Sequence, residues 1–424
     1  MANNIKMNFQ KISAKFNVLA ENFGVILITL FPAAMLPLHN SATTIYFLLA
    51  LISSVYLLLN FKKISLSIKR IPKWLLLAFF AYPLAFILQF LVTHTLFHNG
   101  IDVPLLILFA PIILIFLTHL PKEKMSWPFY ASILGVLGCL LIANFNGDRL
   151  TIYYMWPTIF GCFVIILSTF SIGAYFLNFN RCTRGLSLLA LFAAFYMIFF
   201  SETRSAWLTC IFISGYVFYK MFKHHLTNYL ALAAIVMCFV GLFHFNENVN
   251  QRINQAIYEL TAPLSEVKDT SLGIRKQYQK ASFILIKESY LVGIGHNEFK
   301  EKIKALQTQK IVTASLTHGH PHNQYLYSFV ELGITGFLGL LAMLFAPMLF
   351  FLKHRNDSNQ NIKIFANIGI LILGSYMIFG MSEVLMTYNK QRAAIYILAI
   401  FIPMASILNQ KYLHPKLTFN KKKL

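Results

Sequence analysis

The chain has 424 residues, of which 57% are hydrophobic and only 12% are charged. A soluble domain carries roughly 25% charged residues because its surface faces water, so this composition excludes an ordinary soluble protein. The formal net charge of +21 does not indicate nucleic-acid binding, since the lysines and arginines lie in short clusters between long apolar runs. Such clusters orient membrane proteins and contact anionic lipid headgroups.

Twelve apolar runs follow one another along the chain and predict an all-α integral membrane protein of about twelve transmembrane helices. We assign all of them to one polytopic membrane domain, residues 1–424. The runs cover residues 24–39, 43–61, 74–93, 103–120, 128–145, 157–177, 184–200, 207–222, 229–245, 324–352, 363–381 and 392–408.

The basic residues set the predicted orientation of these spans. With a cytoplasmic N-terminus, the inside segments hold 22 lysines and arginines, and the short outside loops hold only Arg149, Arg204, Lys390 and Arg392. The other ten lie in the long segment 246–323, whose length removes it from the positive-inside rule. We therefore predict an inner-membrane protein with both termini in the cytoplasm and a large outer loop, 246–323.

This loop joins the ninth and tenth predicted spans and has helical character of its own. Apolar residues recur at helical spacing in Asn250–Thr261, Ile274–Glu288 and Glu298–Leu306. The loop is too small for a generous core, so we expect it to lie across the outer mouth of the bundle.

The chemistry is expected on the outer side. Charged residues are scarce within the spans, where Glu331 is the one plausible deep carboxylate, whereas polar groups gather in the outer loops. Ion-driven transporters usually need charged groups near the bilayer midplane. The pattern therefore favours an outward-facing enzyme over a channel or transporter.

His322 is the strongest candidate for catalysis. It precedes Asn323 at the start of the tenth span, where the helix N-terminus disfavours imidazolium. A neutral imidazole there could accept the proton of a sugar hydroxyl, and the alternative is an interfacial histidine that only caps the helix. Further along, Gly333, Gly336 and Gly339 share nearly one helical face, which is typical of close helix packing.

Arg204 lies in the tight outer turn between the seventh and eighth spans, within Ser201–Trp207. Its planar guanidinium could bind a phosphate at headgroup depth. Alternatively it anchors the interface beside Trp207 or pairs with Glu202.

Arg275 begins the predicted helical stretch 274–288 of the long loop. It is a second candidate for binding an anion at the outer face. Judged without further context, it is better explained as a solvated charge among its neighbours Lys276 and Lys280.

Three alternating histidines, His318, His320 and His322, would share one face of an extended strand and could bind zinc. However, Pro321 interrupts the strand, and the loop offers no convincing further ligand cluster. The outer face also has no Asp-x-Asp pair that would hold a divalent ion on a diphosphate. We therefore expect no metal and no cofactor, with arginines in place of a metal ion.

The pattern His322-Asn323-x9-Gly333-x2-Gly336 resembles the signature of the O-antigen ligase family, which also contains O-antigen polymerases and bacterial O-oligosaccharyltransferases. The twelve predicted spans and the long loop between spans nine and ten resemble the family over essentially the whole chain.

Two arginines extend this resemblance. Arg204, in its Thr-Arg-Ser-Ala setting, is similar to the family's arginine at an outer span junction. Arg275, which precedes Gly293-Ile294-Gly295, is similar to the family's second, loop-borne arginine.

The resemblance implies a GT-C-like glycosyltransferase bundle that acts at the outer leaflet of a bacterial inner membrane, with segment 246–323 as a helical periplasmic loop between helices 9 and 10. The donor would be a saccharide on undecaprenyl diphosphate, and the acceptor a sugar hydroxyl of lipid A–core oligosaccharide. His322 would take the acceptor proton, while Arg204 and Arg275 would bind the diphosphate. The family signature further implies supporting roles for Asn323, Gly333 and Gly336.

Other functions stay open at this point. Within the family, the length of the chain favours a ligase over a protein O-oligosaccharyltransferase, while a polymerase would use the same donor. From another class, a flippase or transporter for lipid-linked sugars would also have many spans. The scarcity of charge in the spans and the Arg and His residues at one mouth argue against that class.

Overall fold

The computed structural model describes residues 2–93, 102–177, 180–221, 247–296, 298–313 and 316–413, and these are almost entirely helical. The helices before the long loop are α1 Ala2–Ala34, α2 Ser41–Leu59, α3 Phe61–Ile68, α4 Lys73–Thr93, α5 Asp102–Leu117, α6 Trp127–Ile142, α7 Pro157–Phe176, α8 Arg181–Phe200 and α9 Arg204–Met221. The later helices are α10 Glu247–Thr261, α11 Leu264–Val267, α12 Ser271–Glu288, α13 Phe299–Thr308, α14 Gln324–His354, α15 Gln360–Gly380 and α16 Lys390–Leu408. Shorter elements are a 3₁₀ turn at Lys122–Lys124, a π-helical end at Asn409–Leu413, and the strands β1 Asn144–Asn146 and β2 Arg149–Thr151.

Nine helices within the described ranges are long and apolar enough to cross a membrane. They coincide with the first three predicted runs, with the fifth to seventh, and with the last three. The fourth run forms the shorter helix α5, the eighth forms the more polar α9, and the ninth, 229–245, lies outside the described residues. The chain is a multi-pass membrane protein, and the count of twelve spans stays a prediction.

Helices α7, α15 and α16 form the centre of the bundle, since nearly all of their side chains are buried. The surrounding helices, such as α2, α4 and α8, bury one face and expose leucines and phenylalanines on the other. Lipid tails are as apolar as these side chains, so the exposed faces suit contact with lipid. Helix α4 packs along α14 in the most extensive helix pair.

The β-hairpin after α6 differs from the sequence prediction, which continued the fifth span to residue 145. Asn146 pairs with Arg149 across a two-residue turn in which Gly147 has a φ of +63°. Glycine at the first central position allows this backbone conformation, which matches the twist of the two strands. The hairpin brings Arg149 towards the turn between α8 and α9.

The long loop contains the helices that its periodicity predicts, namely α10, α12 and α13. Helices α12 and α13 share a small apolar core, which packs against Val330 at the start of α14. The core includes Tyr278, Leu285, Phe299 and Ile303, all of them buried. The loop therefore has a small core of its own, and it docks on the bundle through α14.

The close packing of α14 on α4 generates a prediction. A Cβ atom at Gly339 would lie 2.9 Å from the backbone nitrogen and Cα of Tyr82, so Gly339→Ala must push the two helices apart. Overpacking of this kind costs about 1–3 kcal/mol of unfolding free energy. We expect a lower thermal unfolding temperature in detergent. Gly185→Ala, at a glycine with no atom near its Cβ position, is the control and should not lower it; equal unfolding temperatures for both variants would contradict the close approach.

Candidate active site

A contact between His322 and Glu383 forms the centre of the candidate site. Nδ1 of His322 lies 3.2 Å from Oε1 of Glu383, and both side chains are largely buried. His322 lies at the end of the long loop, whereas Glu383 lies in the connection between α15 and α16. The contact therefore joins two segments that are 61 residues apart in the chain.

Asn323 and Gln324 hold the start of α14 against the same connection. The Asn323 side chain is the N-cap of α14, and its amide donates a hydrogen bond to the carbonyl of Met381 at 3.3 Å. The Gln324 amide donates to the hydroxyl of Thr387, and its oxygen accepts from the backbone N–H of Met386 at 2.9 Å. These bonds hold the start of α14 in place and therefore fix His322, the residue before Asn323, where it contacts Glu383.

The backbone of His322 is itself unusual, with a φ of +50°. A non-glycine residue in this left-handed region costs about 1–3 kcal/mol and persists only where its surroundings fix it. The surroundings are aromatic rings, with centroids 5.9 Å away at Tyr278, 4.7 Å at His318 and 4.5 Å at His320. A strained backbone held by packed rings is typical of a functional position.

The charges of this cluster follow from burial and from the pairing. Burial alone would raise the pKa of Glu383, but its hydrogen bond and charge interaction with His322 outweigh burial and lower that pKa to about 2. Burial, and then the charge of His322, lower the pKa of His320 to about 3. At neutral pH the cluster therefore holds an ionised Glu383 and an uncharged His320.

Helix α12 brings Arg275 to the same region. Tyr278 lies three residues further along α12 and so shares its face with Arg275. The Tyr278 hydroxyl accepts a hydrogen bond from the backbone N–H of His318 at 2.7 Å, and its ring packs near His322. Arg275 is half-buried and makes no hydrogen bond or ion pair with any residue in the described ranges. A half-buried cation without a partner is a candidate for binding an anionic ligand.

Cys162, on α7, contacts the first turn of α9. Its buried thiol lies 3.9 Å from the hydroxyl of Ser205, the residue after Arg204. This contact places the start of α9, which carries Arg204, against α7.

Arg204 is the first residue of α9, where the helix dipole disfavours a cation. Its Nη1 lies 3.5 Å from Oε2 of Glu259 on α10, a fully buried carboxylate. Sequence reasoning named only Glu202 as a partner for this arginine, because Glu259 is distant in the chain. Nearly a third of the Arg204 side chain stays exposed, at 30%, so the guanidinium is accessible to a ligand.

Arg149 fixes the turn that precedes Arg204. Its Nε donates a hydrogen bond to the carbonyl of Ser201 at 2.9 Å, and its Nη2 lies 3.4 Å from the hydroxyl of Thr203. The turn contains the second strained residue of the site, Glu202, with a φ of +48°. Arg149 thus acts as a clamp on this turn.

A break in α14 lies one helical segment beyond His322. Gly333 has φ +65° and ψ −161°, a conformation open essentially to glycine alone. The stretch around Gly293 inserts at this break, where the N–H of Ile294 donates to the carbonyl of Val330 at 2.9 Å and the N–H of Ile334 donates to that of Tyr290 at 2.9 Å. The loop thereby satisfies backbone groups that the broken helix leaves free.

The two glycines allow the backbones to touch. A Cβ atom at Gly293 would lie 2.3 Å from the carbonyl of Glu331, and one at Gly333 would lie 2.3 Å from that of Leu291. The interpretation of Gly333 as a helix-packing residue is therefore wrong, since it terminates one helical segment and receives the loop. Gly336 follows the break, where a Cβ would meet Leu332 of its own helix. Only Gly339 packs against another helix, as expected.

Glu331 closes the junction through His296. Nδ1 of His296 lies 2.8 Å from Oε2 of Glu331, and the carboxylate is fully buried. The His296 ring also packs edge-on against Phe86 of α4. This deep carboxylate therefore pairs with His296 and ties the loop to the segment of α14 that follows His322.

The comparison with known proteins agrees with this arrangement. Residues 189–341, which run from α8 into α14, match the family model described as O-antigen ligase. The resemblance to the O-antigen ligase family is confirmed. The matched segment contains Arg204, Arg275 and His322, together with the junction at Gly333. It supports an O-antigen ligase or polymerase type of function, in which a glycosyltransferase-like enzyme handles lipid-linked glycans.

One relative covers nearly the whole chain. A protein of Haemophilus influenzae (strain ATCC 51907 / DSM 11121 / KW20 / Rd), described as an uncharacterized protein, is 24% identical over 378 residues. The alignment covers 86% of this chain and 94% of the relative. The similarity thus extends well beyond the matched family segment to both sides of it.

Sequence reasoning missed Glu383 as a partner of His322 and Arg149 as a clamp. It recognised the outer loops only as places where polar groups gather. The available signal was a charged residue in an outer connection, but nothing in the sequence indicates which of these connections contact one another.

The donor atoms of His320, His322 and Glu383 lie within 4.8 Å of one another, a spacing that could hold a metal ion. Glu383 is the further ligand that the loop sequence itself lacks.

The junction at Gly333 generates a prediction. Gly333→Ala forces an L-residue into a conformation that only glycine adopts and places its Cβ on the Leu291 backbone, so the loop should detach from the break. We expect faster hydrogen exchange at the amides of Ile294, Gly295 and Ile334, which donate bonds across the junction. Gly215→Ala, with no atom near its Cβ position, is the control. Unchanged exchange in Gly333→Ala would contradict the junction.

Proposed function

We propose that the protein is an O-antigen ligase that transfers a saccharide from undecaprenyl diphosphate to the lipid A–core oligosaccharide at the periplasmic face. The transfer is a single inverting displacement that uses no metal ion. The acceptor oxygen bonds to the anomeric carbon of the donor while the bond from that carbon to the diphosphate oxygen breaks. Undecaprenyl diphosphate leaves with the electron pair. The contact between His322 and Glu383, inside the matched family context, is the observation that carries this proposal.

His322 is the general base in this proposal. A carboxylate can only accept a hydrogen bond, so its contact with the ionised Glu383 favours the tautomer in which Nδ1 of His322 carries the proton. Nε2 then has a free lone pair and can take the proton of the acceptor hydroxyl. Glu383 orients the ring and stabilises the imidazolium that forms, as an acidic partner does in other catalytic pairs.

The leaving diphosphate is bound by Arg275 and Arg204. Arg275 is half-buried without a partner in the described ranges, and Arg204 begins a helix whose N-terminus also attracts anions. Two guanidinium groups can each form paired hydrogen bonds to phosphate oxygens and stabilise the charge that grows as the bond breaks. A diphosphate is already a good leaving group, so these cations supply what a metal ion would otherwise provide.

A transfer assay tests the function. Purified protein, undecaprenyl-diphosphate glycan and core lipid are incubated with a chelator and without ATP. Glycan attached to the core lipid supports a ligase. Longer glycan that stays on the prenyl carrier would identify a polymerase instead. If neither product forms, the transporter class is the remaining explanation. In cells, loss of a ligase leaves core without O-chain, whereas loss of a polymerase leaves core with a single repeat.

The roles of His322 and Glu383 generate a prediction for this assay. His322→Ala should lower the rate constant of transfer about 10²- to 10⁴-fold, the usual contribution of a general base. Glu383→Gln keeps the shape but loses the charge, and should lower it by about 10- to 100-fold, the worth of a hydrogen bond to a charged group. His39→Ala removes an exposed histidine in the turn after α1 and is the control. Transfer at the normal rate in His322→Ala would remove His322 from the mechanism.

Arg275 generates a separate prediction. Arg275→Ala should lower kcat by about 10²- to 10³-fold, because it removes a donor aimed at charge that grows in the transition state. Arg275→Lys should recover only part of this loss, since an ammonium cannot form the paired bonds of a guanidinium. Lys280→Ala, a more exposed cation on the same helix, should change kcat little. Equal effects at both positions would indicate a general charge effect and contradict a specific site.

A further inference from the structure

The cluster of His320, His322 and Glu383 has a second property that the transfer reaction does not use. Its three donor atoms lie within 4.8 Å of one another. Among the residues that the structure describes, this is the one group of three His, Cys, Asp or Glu side chains close enough to hold a metal ion. Two histidine nitrogens and one carboxylate oxygen are a common ligand set for zinc in proteins that keep a fourth position open.

The separations are close to those of a metal site. Ligands at bond lengths of about 2.0–2.2 Å around a tetrahedral zinc ion lie roughly 3.4 Å apart. Nδ1 of His322 and Oε1 of Glu383 are already 3.2 Å apart. His320 brings its ring to 4.5 Å from that of His322, centroid to centroid. The donor atoms of all three residues lie within 4.8 Å of one another, so closing these separations to about 3.4 Å completes three bonds to one ion.

The burial of the cluster also suits a metal ion. His320 and Glu383 are both buried, so little water competes for two of the three ligands. His322 is less buried, with 16% of its side chain exposed, so an ion can reach the cluster from the solvent side.

We propose that His320, His322 and Glu383 form an inhibitory binding site for Zn²⁺. Zinc takes the lone pair of Nδ1 of His322 and inserts between that ring and Glu383. The proton that Nδ1 carried moves to Nε2, so Nε2 no longer has a lone pair for the acceptor proton. Binding of one ion thus removes the general base without any change elsewhere in the fold. The inhibitory part of this inference rests on the proposed function, whereas the binding site does not.

The test has a binding arm and an activity arm. The full-length protein, purified and stripped with a chelator, is dialysed against Zn²⁺ and its bound metal is measured in the absence of substrate. Cobalt(II) replaces zinc in a parallel sample, and its visible absorption reports coordination by nitrogen and oxygen ligands. Transfer rates are then measured against Zn²⁺ concentration, each variant being compared with its own rate without zinc.

We expect one tightly bound zinc ion per chain and a loss of transfer over the same concentration range. His320→Ala and the isosteric Glu383→Gln each remove one ligand. Each should weaken zinc binding by at least about 10- to 100-fold, the loss that even an outer partner of a metal ligand causes. His39→Ala, the control histidine outside the cluster, should bind zinc as the unsubstituted chain does.

Three results would overturn the proposal. If zinc binds His320→Ala and Glu383→Gln as tightly as it binds the unsubstituted chain, its binding site lies elsewhere. If zinc occupies the site while transfer continues at the same rate, it does not inhibit the enzyme. Transfer that requires zinc makes the ion catalytic and contradicts both the inhibition and the metal-independent mechanism. If the unsubstituted chain transfers no glycan, the proposed function fails while the binding arm still decides the site.

Discussion

The contact between His322 and Glu383 is the interaction on which the account of this protein depends. It joins the end of the long loop to the connection between two of the most buried helices, α15 and α16. Because one partner is a buried, ionised carboxylate, the contact defines both the position and the tautomer of the imidazole. The hydrogen bonds of Asn323 and Gln324 to the same connection hold that geometry from the helix side.

The rest of the structure positions this pair by breaking a transmembrane helix. Helix α14 changes direction at Gly333, and the loop segment around Gly293 enters the break and satisfies its backbone groups. The junction therefore serves two purposes, since it ties the long loop to the bundle and orients the short helical segment that begins after His322.

Much of this architecture could be predicted from the sequence, because lipid imposes a simple rule on composition. The runs of apolar residues predicted the nine spanning helices of the described ranges, and the helical spacing of apolar residues predicted α10, α12 and α13 in the loop. The spacing of His322, Gly333 and Gly336 predicted the family that the comparison then matched. These are local patterns, and a periodicity of a few residues suffices to reveal them.

The remaining features depend on contacts between distant segments, which a single sequence does not encode in any local pattern. Glu383 lies 61 residues from its partner, and Glu259 lies a similar distance from Arg204, so neither pairing has a signal in the spacing. Gly333 was interpreted as a packing glycine because a glycine in an apolar run is usually one. Only its positive φ and the carbonyl of Leu291 beside it reveal its role.

The most direct test of this account is a double-mutant cycle on His322 and Glu383, with kcat of glycan transfer by purified protein as the measured quantity. If Glu383 acts through the imidazole, the double variant should be no slower than His322→Ala alone, because the carboxylate has nothing left to orient. If the two substitutions instead slow transfer by independent factors that multiply, the two residues do not work as a pair and the central claim is wrong.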